Sequence, residues 1–475
     1  MNRDLEDIKR LLSLFSGEGL NSTETFEILQ KICEDTEDIY RKDKYEYLHN
    51  HKCICIEEYR KELSVIKACC KDNKCNDCVI NKWCNHYRNV IQSEEFNASG
   101  PKYADFFCGA GGLSWGFHRA GFKMSLANDI QECCIDTIAL NHPEVPGQHI
   151  IASDINNVIE NVNSLSRYKN IDVVVGGPPC QGFSMANRQR IIDDPRNHLY
   201  KSYIRVIRLL KPKFFVMENV RGMLKAEKQI VEDFKNIGYS ATAHILNAKN
   251  FGVPQNRERV IFIGNSIDVD NEEIFNKIFE IASRRESYVL NDALQYLAPL
   301  QAKTIPNATE IEDELTGYTF ALQKNQCVNN YIKSINEGRN IPVIFNHKAR
   351  YNNFRDIEIF SRLHQGDNSA NSKIADIMPY KRREKIFKDK YFKLESNKPC
   401  KTITAHMKYD CNMYIHPTQA RGLTPREAAR IQSYPDDYFF RGSFTKTYMQ
   451  VGNSVPPLLS EVIALALYEQ LKGDV

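Results

Sequence analysis

The sequence predicts an α/β protein whose largest domain is built on a doubly wound parallel sheet. From residue 102 to about residue 264, short apolar runs alternate with segments of helical pattern, as they do where helices cover a parallel sheet. Several of these runs end in an acidic residue or in a turn rich in glycine and proline. Because ligands of open α/β sheets lie outside the carboxyl ends of the strands, these strand ends form the candidate site.

Six apolar runs are the predicted strands of this sheet. In chain order they span residues 103–107, 124–129, 149–154, 171–175, 214–219 and 259–264. The glycine turn Gly109–Gly112 follows the first strand, and a helix is predicted over Leu113–Ala120. Three of the strands place an acid at or near their carboxyl ends, namely Asp129, Asp154 and Glu218.

We expect four segments along the chain. The periodicity breaks down after the last strand and returns from Arg421. Thr424 with Pro425 and Glu427 then makes a capping box that predicts a helix start. An apolar helix is predicted over Leu458–Leu471. The expected boundaries are a mainly helical, cysteine-rich N-terminal extension (1–100), a sheet domain (101–265), an inserted domain (266–415) and a C-terminal part that returns to the sheet domain (416–475).

The composition is that of a soluble globular protein, with 42% hydrophobic and 26% charged residues in a chain of 475. No apolar stretch approaches the length of a membrane span, and the polar N-terminus is no secretory signal, so we expect a cytoplasmic protein without membrane contact. The net charge of +3 is uneven: residues 341–400 carry 13 Lys and Arg against 7 Asp and Glu, whereas residues 1–100 carry 15 against 19. The basic segment is either a solvated helix face or a surface that contacts phosphates.

Eight of the 15 cysteines lie in the first 100 residues. In a cytoplasmic protein such density indicates metal thiolates, although ordinary buried thiols are the alternative. The spacing C-x5-C-x2-C-x5-C resembles the iron–sulfur loop of base-excision glycosylases of the helix-hairpin-helix class, with one residue fewer in the first gap. Zinc is the rival metal, and Cys53, Cys55 and His86 could join either site. The four candidate ligands are Cys69, Cys75, Cys78 and Cys84.

Cys180 is the candidate nucleophile of the sheet domain. It follows Pro178 and Pro179 at the predicted end of the fourth strand. Two fixed φ angles hold its backbone stiffly, and neighbouring glycines let another molecule approach. A buried, inert cysteine in a strand-end turn is the alternative.

The turn after the first strand is the candidate cofactor site. Its glycines let a nucleoside approach the backbone, and Asp129, 24 residues after Asp105, can bind ribose hydroxyls. The run is not G-x-G-x-x-G, so a dinucleotide is disfavoured and S-adenosylmethionine fits better. A purely structural glycine turn remains open. Asp154 could accept from an adenine amino group or could cap a helix.

Six blocks of this chain together resemble the ordered motifs of the DNA (cytosine-5) methyltransferase family of bacterial restriction–modification systems. They are Asp105–Ser114, Gly177–Ser184, Glu218–Val220, Gln255–Arg259, Arg421–Gln432 and Gly452–Pro456. The resemblance covers roughly residues 102–475 and leaves out residues 1–100. It implies a Rossmann-like S-adenosylmethionine-dependent methyltransferase domain with a target-recognition domain at 266–415.

The resemblance also implies roles for individual residues. Cys180 matches the nucleophile that attacks C6 of cytosine, and Glu218 matches the acid that engages N3 of the ring. Arg257 and Arg259 match arginines that assist at the target base. In the cofactor site, Phe107 matches the residue stacking on adenine, Asp129 the ribose-binding acid and Asp154 the partner of the adenine amino group. The implied cofactor-lining set is Phe107, Gly109, Gly111, Gly112, Leu113, Asp129, Ile130, Asp154, Ile155, Pro179, Asn453, Ser454 and Val455.

The function implied is methyl transfer to carbon 5 of a flipped-out cytosine in a specific double-stranded DNA sequence. The expected partners are duplex DNA and a restriction endonuclease that acts on the same sequence without being bound, and we expect a monomer. A transfer-RNA cytosine-5 methyltransferase and a DNA-binding transcriptional regulator that uses the N-terminal extension are the alternatives. The candidate base readers of the inserted domain are Arg350, Asn352, Asn353, Arg355 and Arg362.

Overall fold

The computed structural model describes residues 100–473 with several gaps, of which the longest is 180–197. The others are 143–144, 146–148, 162–164, 166–167, 169, 307–310, 323–327, 340, 342 and 380–389. Cys180 and the four N-terminal cysteines proposed as metal ligands therefore lie outside the described residues. The described chain forms two compact units: a sheet unit, residues 100–287 with 454–473, and a second unit, residues 288–453. The sequence analysis expected the sheet domain to end at residue 265 and the chain to return to it at residue 416.

The sheet unit contains, within the described residues, one sheet of seven strands in the order β3-β2-β1-β4-β5-β8-β6. Its strands are β1 (Lys102–Phe106), β2 (Lys123–Asp129), β3 (Ile150–Ala152), β4 (Val173–Gly176), β5 (Phe214–Asn219), β6 (Ser240–Asn247) and β8 (Glu258–Asn265), with a two-residue strand β7 (Gln255–Asn256) before β8. Strands β1 to β5 pair in parallel with one another. The expected mixed α/β fold with a large parallel-dominated sheet is confirmed.

Two features of the sheet differ from the sequence prediction. Strand β8 runs antiparallel to both β5 and β6. The chain between Asn247 and Glu258 is too short for the crossover that a parallel connection needs, so the strand returns in the opposite direction. Strand β6 was not predicted, because it lies at the edge of the sheet and most of its residues are only half-buried, which leaves no continuous apolar run.

Side chains of the central strands point alternately into two hydrophobic cores, as the pleat of a strand requires. One core includes Val173, Val175, Val216, Ile261 and Ile463, and the other includes Val174, Phe215, Met217, Phe262 and Tyr203. The helices of the unit are α1 (Gly112–Arg119), α2 (Glu132–Asn141), α3 (Ile155–Glu160), α4 (His198–Leu210), α5 (Glu227–Lys235), α6 (Asn271–Ser283) and, from the C-terminal segment, α12 (Pro457–Gly473).

Helix α12 packs closely on α1. A Cβ placed on Gly116 would come within 2.4 Å of the Ser460 side chain, so only glycine permits this approach. The Ser460 hydroxyl donates to the carbonyl of Leu113 (2.8 Å), and Arg119 pairs with Glu461 (3.2 Å). The C-terminal segment is thereby fixed beside the turn that begins α1.

The second unit has a small antiparallel pair, β9 (Gly317–Leu322) and β10 (Val343–Lys348), and a short strand β11 (Cys400–Lys401). Its α-helices are α7 (Leu290–Leu294), α8 (Asn330–Ile335), α9 (Phe354–Arg362), α10 (Pro425–Ile431) and α11 (Phe444–Asn453). The predicted capping box at the start of α10 is confirmed: Thr424 accepts from the backbone of Glu427, whose side chain accepts from the backbone of Thr424. No single helix among the described residues is long and apolar enough to cross a membrane, and only α11 and α12 taken together across a bend meet that test by length and composition.

Ion pairs buried in the second unit surround helix α10. Arg421 binds both carboxylate oxygens of Glu427 (2.8 and 2.6 Å), and Arg430 binds both of Asp436 (2.6 and 2.8 Å). All four side chains are almost fully buried, and each charge has an opposite charge at hydrogen-bond distance, which is the condition under which buried charges are tolerated. Burial alone would raise the pKa of Glu427, but the Arg421 guanidinium outweighs it and holds that pKa well below its usual range.

Two buried histidines make this cluster sensitive to acid. Burial lowers the pKa of His347 and of His416 from 6.5 to about 4, and the nearby Arg421 guanidinium adds to the effect. As the pH falls from 6.5 towards 4, the unfolded chain takes up protons on these residues while the folded chain does not. The contribution of these two histidines to the free energy of unfolding should therefore fall over this window by a few kcal/mol.

We expect these two histidines to lower the melting temperature of the full-length protein progressively between pH 7 and pH 4.5, against the opposite contribution of the buried Asp105, whose raised pKa stabilises the folded state in the same window. Replacing His347 with glutamine should flatten this dependence, because one of the two groups no longer titrates. Thermal unfolding followed at several pH values measures both slopes, with a glutamine substitution at the partly exposed His244 of the sheet unit as the control. If the melting temperature of His347→Gln depended on pH as steeply as that of the wild type, His347 would not be one of the titrating groups.

Candidate active site

The turn that follows β1 leaves room for a ligand against the backbone. Phe107 (φ 59°), Gly109 (φ 52°) and Gly111 (φ 77°) all take left-handed backbone conformations. For the non-glycine Phe107 this conformation is costly, and such strain is common at functional sites. A Cβ on Gly109 would meet no atom within 4 Å, so open space lies over this residue.

Asp129, at the end of β2, holds the turn in place. Its carboxylate accepts from the backbone N–H of Gly109 (2.9 Å) and from that of Gln131 (2.8 Å). Burial raises the pKa of Asp129, although these backbone donors favour the charged form. The structure thus brings the glycine turn and the predicted ribose-binding acid together.

The neighbouring positions of the predicted cofactor set divide into exposed and buried ones. Ile130 is 62% exposed, which leaves an apolar side chain available beside Asp129. Leu113 and Ile155 are buried in the two cores. Asp154 accepts from the backbone N–H of Asn156 (2.8 Å), so it does cap helix α3, which was one of its two predicted roles. Gly112 is the first residue of α1 and is buried.

Asp105, in β1 and fully buried, adds a second carboxyl group close to the turn. Burial raises its pKa to about 8, so this group carries a proton at neutral pH. The hydroxyl of Ser114 in α1 donates to it (2.5 Å), and the hydroxyl of Tyr103 donates to the Ser114 carbonyl (3.0 Å). These bonds tie the first turn of α1 to β1.

Glu218 and Arg259 form an ion pair at the other side of β4. The Arg259 Nε lies 2.9 Å from Glu218 Oε1, and the two side chains are only 15% and 12% exposed. The pair is made possible by strand order, because β5 and β8 are neighbours in the sheet. A Cβ on Gly177 would come within 3.0 Å of Glu218 Oε2, so glycine at 177 lets this carboxylate lie against the backbone just before Pro178.

Asn219 is a residue to which the sequence analysis gave no role of its own. Its side-chain amide donates to the carbonyl of Pro178 (2.8 Å), and its Oδ1 accepts from the backbone N–H of Val220 (2.9 Å). Asn219 is 5% exposed. It therefore fixes the start of the Pro-Pro-Cys segment relative to β5. The sequence feature that could have pointed to Asn219 was its position in the Glu218–Val220 block.

Arg257 lies in different surroundings from Arg259. It is fully buried, and its Nη2 donates to the carbonyl of Ser454 (2.8 Å) at the start of the C-terminal segment. Ser454 and Val455 are themselves buried, and Asn453, in the second unit, is exposed. These contacts favour a positioning role for Arg257, whereas Arg259 is the arginine that meets Glu218.

Around the position expected for Cys180, the described residues are Pro178, which is buried, and Pro179, which is exposed. The carboxyl ends of β1, β2, β4 and β5 lie at one edge of the sheet, because these strands are parallel. That edge carries an open glycine turn with an acid and an exposed isoleucine, and a carboxylate–guanidinium pair. The first group fits a nucleoside such as that of S-adenosylmethionine, and the second can bind a polar ring edge.

Comparison with known proteins identifies the family. A model of the C-5 cytosine-specific DNA methylase family matches residues 102–469. The chain is 36% identical to the type II methyltransferase M1.HphI of Haemophilus parahaemolyticus, over 77% of this chain and 86% of that protein. It is 33% identical to the type II methyltransferase M.DdeI of Desulfomicrobium norvegicum, over 76% of this chain and 86% of that protein.

A solved structure supports the same conclusion. A crystal structure described as a DNA modification methyltransferase encoded within a prophage of E. coli covers 78% of this chain and all of its own, at 26% identity and a TM-score of 0.60. The predicted family resemblance is confirmed, and the transfer-RNA and regulator alternatives are not favoured. The chain belongs to the C-5 cytosine-specific DNA methylase family and is a DNA cytosine-5 methyltransferase that uses S-adenosylmethionine as methyl donor.

Proposed function

We propose that this protein is the modification enzyme of a type II restriction–modification system and methylates one specific sequence in duplex DNA. The relatives compared above are type II methyltransferases. The observation that carries the chemical part of the proposal is the Glu218–Arg259 pair, which lies beside the backbone leading to Pro178 and Cys180. A cytosine inside a stacked duplex cannot reach such a pair, so the target base must be flipped out.

In this proposal Cys180 is the nucleophile. Its thiolate adds to C6 of cytosine, and the electron pair of the C5–C6 double bond moves so that carbon 5 becomes an enamine carbon. Carbon 5 then bonds to the transferred methyl group. Loss of the C5 proton to solvent and breaking of the C6–S bond, which releases the Cys180 thiolate, restore the aromatic ring. S-adenosylmethionine, when bound, would supply this methyl group from its sulfonium sulfur; the sulfur–methyl bond would break as carbon 5 bonds, and S-adenosylhomocysteine would leave with the electron pair.

Glu218 and Arg259 are proposed to act on the target ring. Glu218 engages N3, where negative charge develops as the thiolate adds to C6. A strong hydrogen bond from Glu218 to N3 stabilises the covalent adduct. Arg259 fixes the orientation of the Glu218 carboxylate through a charge-assisted hydrogen bond. Asn219 keeps the Pro178 carbonyl at a fixed distance from β5. In this proposal the contact helps to orient Cys180, which follows Pro178 by two residues.

The cofactor is proposed to lie over the turn after β1. Gly109 and Gly111 allow close approach, Asp129 accepts from the ribose hydroxyls, and the exposed Ile130 and the half-buried Phe107 give apolar contact to the adenine ring. Asp154 is assigned the adenine amino group in addition to its cap of α3. Ser454 and Val455 are proposed to line the site with Asn453 and Pro179.

Bisulfite sequencing of DNA from cells that express the protein tests the proposal directly. We expect the target cytosine of one short sequence to be fully protected from bisulfite conversion and all other cytosines to be converted. Cells that carry the empty vector are the control. The same experiment yields the recognition sequence. Unmethylated DNA together with C5-methylated transfer RNA would overturn the proposal.

The remaining proposals concern partners and the N-terminal extension. We expect a cytoplasmic monomer and an endonuclease of the same specificity that does not bind the methyltransferase. The metal site of Cys69, Cys75, Cys78 and Cys84 stays a prediction. The visible absorption spectrum of anaerobically purified protein tests it: broad visible absorption would indicate an iron–sulfur cluster, and a colourless protein with bound zinc would indicate the rival site.

A further inference from the structure

Asp105 is a buried carboxyl group beside the turn that is proposed to hold the cofactor. It is fully buried and lies in β1, two residues before Phe107. Its Oδ2 accepts from the Ser114 hydroxyl (2.5 Å), whereas its Oδ1 makes no hydrogen bond with any described residue. A buried carboxyl oxygen without a partner is costly to the fold, and such groups are concentrated at functional sites.

The two acids at this turn differ in the donors that surround them. Asp129 accepts from the backbone N–H groups of Gly109 (2.9 Å) and Gln131 (2.8 Å), which favour its charged form. Within the described residues, Asp105 accepts only from one hydroxyl, and the charge of Asp129 opposes its ionisation. The turn by itself therefore stabilises one negative charge but not two.

Asp105 is the group here whose charge can change near neutral pH. Burial, with a further contribution from the charge of Asp129, raises the pKa of Asp105 to about 8. The other ionisable side chains whose charges couple to it are the Cys108 thiol of the turn and the Tyr203 phenol of α4. Burial raises the pKa of both well above the usual range, so both stay neutral near pH 7. A positive charge that arrives beside Asp105 would favour its ionised form.

The donor and the product of methyl transfer differ by one positive charge. S-adenosylmethionine carries a sulfonium cation, whereas S-adenosylhomocysteine has a neutral thioether sulfur in its place. Charges interact strongly where water is excluded, so a cation over the turn acts on a carboxyl group buried beneath it. The neutral sulfur of the product exerts no such attraction, and the two ligands should therefore leave Asp105 in different protonation states.

We propose that Asp105 is a specificity-determining residue that distinguishes the methyl donor from its product, because it gives up its proton when S-adenosylmethionine binds and keeps it when S-adenosylhomocysteine binds. The O–H bond of the carboxyl group breaks, its electron pair stays on the oxygen, and the proton passes to the solvent. The carboxylate that remains attracts the sulfonium, so the donor binds more tightly than the product and displaces it more readily. This inference rests on the proposed position of the cofactor over the turn after β1.

Isothermal titration calorimetry of the full-length protein, in buffers of different ionisation enthalpy, counts the protons released on binding. Near pH 7, wild-type protein should release most of one proton for each S-adenosylmethionine bound and much less for each S-adenosylhomocysteine bound. The amino group that the two ligands share also titrates near this pH, so the difference between the ligands is the quantity that tests the inference.

The affinities should follow the same pattern. Because binding is linked to proton release, the Kd of wild-type protein for S-adenosylmethionine should fall about fivefold between pH 6.5 and pH 7.5. Asp105→Asn resembles the protonated carboxyl group and cannot ionise. It should bind S-adenosylmethionine about tenfold more weakly than wild type at pH 7.5, with little change in the Kd for S-adenosylhomocysteine or in the melting temperature. Asp233→Asn is the matched control, since Asp233 also accepts from a hydroxyl (Tyr200, 3.0 Å) but is partly exposed on α5.

The possible outcomes separate this inference from the proposed cofactor site. Equal proton release with the two ligands would overturn the inference, and so would an Asp105→Asn protein that binds S-adenosylmethionine as tightly as Asp233→Asn does. Should Asp105→Asn fail to fold, the comparison of the two ligands on wild-type protein still decides. Asp129→Ala tests the site itself: if it binds S-adenosylmethionine as tightly as wild type, the cofactor does not lie over this turn and the proposed site fails.

Discussion

Replacing Cys180 with serine should abolish methyl transfer to DNA while leaving the affinity for S-adenosylmethionine within about twofold of wild type. A serine hydroxyl is a far weaker nucleophile than a thiolate at neutral pH, and without addition to C6, carbon 5 of cytosine stays unreactive. The groups proposed to bind the cofactor lie after β1 and β2, at Gly109, Asp129 and Ile130. Cofactor binding by these groups should therefore not depend on whether residue 180 carries a sulfur or an oxygen atom.

Tritium transfer from labelled S-adenosylmethionine measures the activity, and equilibrium dialysis measures the cofactor affinity. Cys133→Ser is the matched control, because Cys133 is a partly exposed thiol on helix α2 with no proposed role in catalysis. A duplex containing 5-fluorocytosine adds a second readout. Wild-type protein should form a covalent complex with it, since fluorine cannot leave C5 as the proton does, and the serine variant should form none. Near wild-type turnover by Cys180→Ser would remove the basis for the mechanism.

The sheet could be predicted where strands are buried on both faces. Val173, Val174 and Val175 are fully buried, so that strand reads as a continuous apolar run. Strand order and direction could not be predicted in the same way, because they depend on pairing between distant parts of the chain. The antiparallel direction of β8 is a case in which a short connection, and not the composition of the strand, decides the outcome.

The candidate site was predictable as a set of residue types but not as a set of contacts. Glu218 and Arg259 meet because β5 and β8 are neighbours, and Asn219 reaches Pro178 because β4 and β5 are neighbours. Asp154 shows a different limit, since an acid before a helix suits a cap and a ligand equally well. Arg350 looked like a base reader by type, but its guanidinium binds backbone carbonyls of the same unit.

Breaking the Glu218–Arg259 pair should lower kcat by about 100-fold or more. In Glu218→Gln the side chain keeps its size but loses the charge that Arg259 binds and the acid proposed for N3. In Arg259→Ala the carboxylate keeps its charge but loses the partner that orients it, in a site where both groups are largely shielded from water. Because both changes act on one interaction, the double variant should be little worse than either single one.

The rate of a single methylation turnover separates the loss of kcat from any change in DNA binding. The KM for S-adenosylmethionine should change little in either variant. Arg221→Ala is the matched control: Arg221 pairs with Glu258 at the same 2.9 Å, but the two side chains are 64% and 43% exposed. An exposed pair of this kind contributes little, so its loss should leave kcat within about twofold. If Arg259→Ala were as active as Arg221→Ala, Arg259 would not orient Glu218. Fully additive losses in the double variant would mean that the two residues act on the cytosine independently.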